Sequence, residues 1–251
     1  MSAYLDDPPL AFAHRGGAAE GDENTAEAFA RAVALGYRYV ETDVHATSDG
    51  VPVVFHDTTL ARVAGRPERI EDLSWAELTT VWPAVPRLDD VLAGWPEIRF
   101  NIDVKAASAI EPTVEAVTRV SAGDRVLLAS FSDARLARLR LLAGPKVATS
   151  LGMRSVARLK AASVGGWRIT MPPSAVAAQV PVRYGRVRLV DRRFIGYAHR
   201  LGLQVHVWTI DDPAEMHYLL DLGVDGIMTD RVDVLRDVYM SRGVWPTEGN
   251  P

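Results

Sequence analysis

The chain has 251 residues, 48% hydrophobic and 24% charged, with a formal net charge of −4 and no cysteine. That composition suits a globular protein with one sizeable core. It argues against a nucleic-acid partner held on a broad basic surface and excludes disulfides and thiolate metal sites, and no apolar run approaches the roughly 18 residues of a membrane span.

The amino-terminal stretch from Met1 to Asp7 is acidic and lacks an apolar run. It does not read as a secretory signal, so a cytoplasmic protein is expected. From there short apolar runs alternate with amphipathic stretches. Strands are predicted at Leu10–His14, Tyr39–Val44, Arg99–Lys105, Val126–Ser130, Lys146–Leu151, Trp167–Met171, Gln204–Thr209 and Gly226–Thr229. Eight strands with helices between them predict an α/β fold, a (β/α)8 TIM barrel, as one domain over 1–251.

The helices carry their own punctuation. Asn24 with Glu27 reads as a capping box before Phe29 and Val33, and Ser74 with Glu77 as another. Ser132 opens a helix expected to bury Leu136, Leu139 and Leu142 before Gly144. Asp212-Pro213-Ala214-Glu215 combines an N-cap, a proline in the first turn and a capping glutamate, ahead of Met216, Leu219, Leu220 and a stop at Gly223.

One segment breaks the alternation. Asp49-Gly50 between apolar runs predicts a β-hairpin whose return, Val51–Phe55, brings residue 55 or 56 back to the level of Asp43. Residues 58–96 then read as a mostly irregular insertion at the C-terminal face of the barrel, with one helix around Trp75–Val81. The polar tail 241–251 reads as frayed.

Chemistry gathers at the predicted strand ends. Glu41 and Asp43, and likewise Asp103 and Lys105, are spaced i, i+2, which puts each pair on one face of its strand. His14 and His56 each follow an apolar strand and meet polar neighbours at once. Three converging carboxylates without cysteine suit one divalent cation, Mg²⁺ or Ca²⁺, bound by Glu41, Asp43 and Asp103. A salt-bridge network with Arg15 and Lys105 is the plain alternative. The same two cations suit a phosphate, and the two histidines suit proton transfer. Gly16 and Gly17 allow a backbone to approach a ligand or form an ordinary loop. Trp208 is expected to line the pocket and pack on substrate; His206, on the same strand face, reads as packed or supporting. His45, His199 and His217 read as surface or helix residues, and Glu23-Asn24-Thr25 as a helix cap. Together these groups predict metal-assisted cleavage of a phosphate ester.

In this order the residues resemble the glycerophosphodiester phosphodiesterase family. The matching pieces are His14-Arg15-Gly16, Glu23-Asn24-Thr25, Glu41-x-Asp43-Val44, Asp49-Gly50, His56-Asp57, Asp103-x-Lys105, Ser130-Phe131, Trp208-Thr209 and the run Gly223 to Asp230. The resemblance implies hydrolysis of glycerophosphodiesters to glycerol 3-phosphate and an alcohol. It implies His14 and His56 as acid and base, Arg15 and Lys105 on the phosphate, and Glu41, Asp43 and Asp103 on the metal. Three positions depart from the family: Asp103 stands where glutamate is usual, and Asp22 and Val232 where proline is common. A lysophospholipase D is the nearest rival within the same chemistry, ranked lower because the sequence presents no amphipathic membrane helix and no evident exposed aromatic cluster. A non-catalytic barrel binding a phosphorylated ligand is the rival from another class.

Overall fold

The computed structural model describes residues 2–245. In chain order the strands are β1 (Leu10–Ala13), β2 (Tyr39–Ala46), β3 (Pro52–Val54), β4 (Arg99–Val104), β5 (Val126–Ala129), β6 (Ala148–Ser150), β7 (Ala175–Val180), β8 (Arg183–Tyr184), β9 (Val187–Arg188), β10 (Gln204–Val207) and β11 (Gly226–Thr229). The helices are α1 (Ala26–Ala34), α2 (Ala61–Ala64), α3 (Trp75–Val81), α4 (Leu88–Gly94), α5 (Ile110–Arg119), α6 (Asp133–Ala143), α7 (Met153–Gly165), α8 (Arg192–Arg200), α9 (Pro213–Leu222) and α10 (Val232–Ser241). Strands β1, β2, β4, β5, β6, β7, β10 and β11 run parallel, and β1 pairs with both β11 and β2, closing the expected (β/α)8 barrel.

Strand alternation sorts the side chains. Val40, Phe100, Ile102, Val126, Leu128, Val205 and Ile227 belong to the large core between strands and helices, whereas Leu10, Phe12, Tyr39, Leu127 and Met228 belong to a smaller cluster inside the barrel. Tyr4 joins that inner cluster, and its carbonyl accepts a hydrogen bond from the Tyr39 hydroxyl at 3.0 Å. His206 lies within it, fully buried, with Nε2 2.9 Å from Gln204 Oε1 and Nδ1 3.3 Å from Gln179 Nε2. The neutral ring satisfies both contacts, donating to the Gln204 oxygen and accepting from the Gln179 amide.

The sequence expectation fails at the sixth barrel strand. Residues Trp167–Met171 form no strand, and Trp167 is largely exposed; the strand is β7, built from Ala-Val-Ala-Ala-Gln-Val. Alanine has low β-propensity, but it fits where strands close on a crowded interior. The hairpin β8–β9, also unforeseen, follows this strand. Leu142, expected in the core, is 38% exposed on α6. Asn24 does not cap α1: Thr25 does, its hydroxyl accepting from the Ala28 amide at 3.2 Å. The caps at Ser74, Ser132 and Asp212 stand as expected.

The hairpin register agrees with expectation. β3 is antiparallel to β2, Val54 faces Val44, and the Phe55 amide donates to the Asp43 carbonyl at 3.0 Å. The segment 58–96 carries more helix than foreseen. Leu60, Ile70, Leu78 and Val85 make a small core of their own with Val53 and Phe55, while α4 buries Leu88, Val91 and Leu92 in the main core. At the carboxyl end Trp245 packs edge-on against Tyr37 and Tyr239, so the expected fraying does not begin at 241; the rest of that expectation, over 246–251, lies outside the described residues.

Burial pushes the His206 pKa down to about 3. A depressed imidazole favours the folded state above the unfolded value of 6.5 and loses that contribution as pH falls toward 3. Wild-type unfolding free energy should therefore drop by up to about 1.4 kcal/mol per pH unit below roughly 6.5 through this group. Denaturant titrations at several pH values should show that component missing in His206→Gln; identical pH slopes would mean His206 is not buried neutral.

Candidate active site

The first turn after β1 sets the frame. Gly16 and Gly17 both have positive φ, at 84° and 93°. A Cβ on Gly16 would meet Phe29 Cδ1 at 2.7 Å, and one on Gly17 would meet Val232 Cγ1 at 2.7 Å. Both glycines thus serve packing of the loop onto α1 and α10. Arg15 and Asn24 also take left-handed backbone, at φ 52° and 59°, and the Asn24 amide donates to the Arg15 carbonyl at 2.9 Å. For arginine that conformation carries strain, which structures tend to retain at functional sites. It aims the Arg15 backbone N–H at Glu41 Oε2, 3.1 Å away.

The expected site residues come together. His14, Arg15, Glu41, Asp43, His56, Asp103, Lys105 and Trp208 all line one cavity of about 340 Å³ at the C-terminal mouth of the barrel. In register, Glu41 lies beside Asn101 and Asp43 beside Asp103. Lys105 Nζ sits 2.7 Å from Asp43 Oδ1 and 2.7 Å from Asp103 Oδ2. Arg15 Nε lies 3.2 Å from Asp43 Oδ2, and Asn24 donates to the same oxygen at 2.9 Å. Burial alone would raise the Asp43 pKa, but Lys105 and Arg15 outweigh it and hold the carboxyl below its usual value. Glu41 has a weaker partner, His14 Nε2 at 3.7 Å from Oε2: burial, reinforced by the Asp43 charge, pushes it up to about 7.

Each histidine has its own carboxylate. His14 Nδ1 lies 2.7 Å from Asp230 Oδ1, and His56 Nδ1 lies 2.7 Å from Asp57 Oδ1. A carboxylate on Nδ1 fixes that nitrogen as the donor and leaves Nε2 for the cavity. Burial pulls the His14 pKa down, but Glu41 and Asp230 together outweigh it and the net shift is upward.

Several participants were not read from sequence. Asn24, taken for a cap, bridges Asp43 and the Thr42 hydroxyl. Glu23 accepts from Arg15 Nη1 at 3.1 Å and pairs with Arg62, whose Nε donates to Asp57 Oδ2 at 2.7 Å. Through Asp57, Arg62 and Glu23, the insertion thereby ties His56 to Arg15. His45, expected on the surface or on a helix, lies on β2 and is buried, with Nε2 3.2 Å from the His56 carbonyl. The two proline departures lie off the cavity: Asp22 pairs with Arg31, and Val232 packs on Gly17.

Among the described residues, no three histidine, aspartate or glutamate side chains stand in a metal-ligating arrangement. Lys105 lies between Asp43 and Asp103 instead. The donor chemistry nevertheless fits a hard cation. Asp103 Oδ1 and Asn101 Oδ1 are buried without a hydrogen-bond partner, and Glu41 is a buried carboxylate short of positive charge.

A family model for the glycerophosphoryl diester phosphodiesterase family matches residues 14–234. The chain belongs to this family. A Mycobacterium tuberculosis (strain H37Rv) protein named "Probable glycerophosphodiester phosphodiesterase 2" is 43% identical, the match covering 94% of this chain and 92% of that protein. A human protein named lysophospholipase D is 27% identical, the match covering 89% of this chain and 84% of the relative. A solved Oleispira antarctica phosphodiesterase, in complex with the product sn-glycerol-3-phosphate, superposes with a TM-score of 0.75 at 22% identity, covering 96% of this chain and 100% of that one. At that identity the likeness is one of fold. The family pieces all fall in the described structure, and most of them border the cavity.

Lys105→Met should destabilise the fold by about 3–5 kcal/mol near neutral pH, because it leaves the Asp43 charge buried with only Arg15 and Asn24. The paired, depressed Asp43 contributes stability above its unfolded pKa and loses it as pH falls. The deficit of the variant should therefore shrink on acidification. Denaturant midpoints at pH 7 and near pH 4 check this; a deficit independent of pH would place the effect in packing rather than charge.

Proposed function

We propose that this chain hydrolyses glycerophosphodiesters to sn-glycerol 3-phosphate and an alcohol, acting in the cytoplasm with a divalent cation, Mg²⁺ or Ca²⁺. The observation that carries the reading is the pair of carboxylate-bound imidazoles facing one cavity that also holds Arg15 and Lys105. Membership of the family, the name of the M. tuberculosis relative and the product held by the O. antarctica enzyme support it. No helix among the described residues is long and apolar enough to cross a membrane.

In this reading Arg15 and Lys105 bind the phosphoryl oxygens and stabilise charge that develops as the ester bond breaks. One histidine takes a proton from the nucleophile, and the other returns one to the departing alkoxide through Nε2. Asp57 and Asp230 hold the two rings in place. The nucleophile is water or the neighbouring glycerol hydroxyl, the latter giving a cyclic phosphate first. Glu41, Asp43 and Asp103 would hold the cation, with Asn101 beside them. When bound, the cation supplies Lewis-acid stabilisation of phosphoryl charge.

His14→Ala and His56→Ala should each lower kcat on glycerophosphocholine by about 10²–10⁴-fold, the usual cost of losing a general acid or base. Both variants should keep the thermal unfolding transition of the wild type. A fully active variant would remove that histidine from the mechanism, and an unfolded one would return it to a structural role.

Calorimetric titration with Mg²⁺ and with Ca²⁺ should show one site that Asp43→Ala abolishes. Asp103→Glu should retain activity and tighten binding, since the longer side chain reaches a further methylene and metal–oxygen distances of about 2.0–2.1 Å for Mg²⁺ tolerate little error. A loss of both affinity and kcat would mean that β4 has adapted to the shorter carboxylate. Metal binding unchanged in Asp43→Ala would remove the cation from this site.

A further inference from the structure

The cavity has a charged side, from β1, β2 and β4, and an apolar wall from β6, β7, α7 and the β8–β9 hairpin. Outside that wall the protein surface is basic. Residues 146–210 hold eleven lysines and arginines and one carboxylate, Asp191, in a chain whose totals are 28 and 32. The net charge of −4 therefore hides a cationic flank on an otherwise acidic protein. Asp191 is already paired, its Oδ2 lying 2.5 Å from Lys160 Nζ. Among the described residues the other ten cations form no ion pair. Arginines of the insertion and of α5 and α6, such as Arg62, Arg69, Arg87, Arg119 and Arg138, all do.

The topology gathers six of these arginines at the mouth end. Each barrel helix starts where the preceding strand finishes, so Arg154 in the first turn of α7 and Arg192 and Arg193 in the first turn of α8 lie there, on helices that pack side by side. The β8–β9 hairpin, between β7 and α8, adds Arg183, Arg186 and Arg188. All six are exposed and none lines the cavity. In the hairpin Arg183 stands opposite Arg188, and Tyr184 opposite Val187. Opposed residues project from one face, so two arginines share one side and the apolar pair the other; like charges so placed destabilise a strand pair. Among the described residues the hydrogen-bond partners of these guanidinium groups are neutral: the Arg186 carbonyl for Arg183, and the Val190 carbonyl and Tyr218 hydroxyl for Arg188. Tyr184 is 60%, Val187 54% and Met153, beside Arg154, 43% exposed. The sequence expectation of no exposed aromatic cluster fails here, because Phe131, Tyr184 and Tyr218 lie far apart in the chain and all three are exposed on this flank.

We propose that the β8–β9 hairpin, with the first turns of α7 and α8, docks the protein on the surface of an anionic lipid bilayer. Guanidinium groups without carboxylate partners take the lipid phosphates. The other hairpin face places Tyr184 and Val187 at the boundary of the headgroup and acyl layers. A polynucleotide would satisfy the arginines but offers no apolar layer to Val187 and Met153. The six arginines lie outside the cavity, so the docking stands apart from whatever reaction the cavity performs.

Co-sedimentation of the full chain with large unilamellar vesicles tests this. One set is phosphatidylcholine alone, the other an equimolar mixture with phosphatidylglycerol. Binding should require phosphatidylglycerol and weaken as salt is added. An arginine near an anionic surface contributes about fivefold in partitioning. The triple variant Arg183→Gln, Arg186→Gln, Arg188→Gln should therefore bind the mixed vesicles about a hundredfold more weakly while keeping the thermal unfolding transition of the wild type. Val187→Ser should weaken binding to the mixed vesicles and leave binding to a duplex oligonucleotide as it was. Absence of vesicle binding, equal binding to both vesicle sets, or undiminished binding by the triple variant would overturn the docking surface. Tighter binding to the oligonucleotide than to the mixed vesicles would overturn it too, and would assign the arginines to nucleic acid.

Discussion

Asp43 is almost wholly removed from water, and the mouth of the barrel is arranged around keeping its charge. An isolated carboxylate at that depth would take up a proton. Lys105, Arg15 and Asn24 prevent this, and each comes from a different part of the chain: the end of β4, the turn after β1 and the approach to α1. The carboxylate therefore acts as a tie between three segments. Removing hydrophobic area elsewhere weakens the fold by degrees, whereas removing one partner here exposes a desolvation cost that the others cover only in part. Lys105 is held by two carboxylates at once, Asp43 and Asp103. An anionic ligand competes with Asp43 and Asp103 for the same ammonium, and a cation beside the carboxylates would release it.

The division of the cavity follows from the order of the strands. Strands β1, β2 and β4 are adjacent in the barrel, so polar residues at their ends form one continuous charged arc. Strands β5, β6, β7, β10 and β11 complete the circle with Ser130, Ser150, Val180, Trp208 and Met228. Parallel strands all present the same end to the mouth, so each contributes one or two residues to a common ring. A sequence that concentrates charge early and apolar residues late in the chain thus produces a two-sided pocket without any special loop. The β8–β9 hairpin extends only the apolar side, with Tyr184 at its edge.

How much of this was legible varies with the physical origin of each feature. Barrel strands with β-branched or aromatic residues, such as Val40 and Val44 on β2 or Val205 and Val207 on β10, announce themselves. β7 does not, because its alanines are chosen for the interior space rather than for strand propensity, while the aromatic and β-branched residues of Trp167–Met171 imitate a strand that tertiary context does not use. The i, i+2 carboxylates and the Asp49-Gly50 hairpin were legible because their geometry is local. Asn24 was misread for the same reason. A cap is the local solution for an asparagine before a helix, and its bond to Asp43 exists only once α1 lies against β2. Asp230 and Asp57 carry no local sign of orienting a histidine, although both stand inside the family's motifs.

The insertion shows the limit of reading function from motif residues alone. Arg62 lies outside every matching piece, yet it pairs with both Asp57 and Glu23. Asp57 holds His56, and Glu23 holds Arg15. One half-exposed arginine on the short helix α2 thus connects His56 to Arg15. An exposed ion pair adds little stability by itself, so the connection matters for position: it couples the orientation of His56 to that of Arg15. The small core under the insertion, from Val53 and Phe55 to Leu78, fixes α2 for that purpose. Geometry at the reacting groups is held this way by a segment whose own sequence shows nothing catalytic, and the hydrophobic burial that anchors it is what allows an otherwise weak surface pair to act on the site.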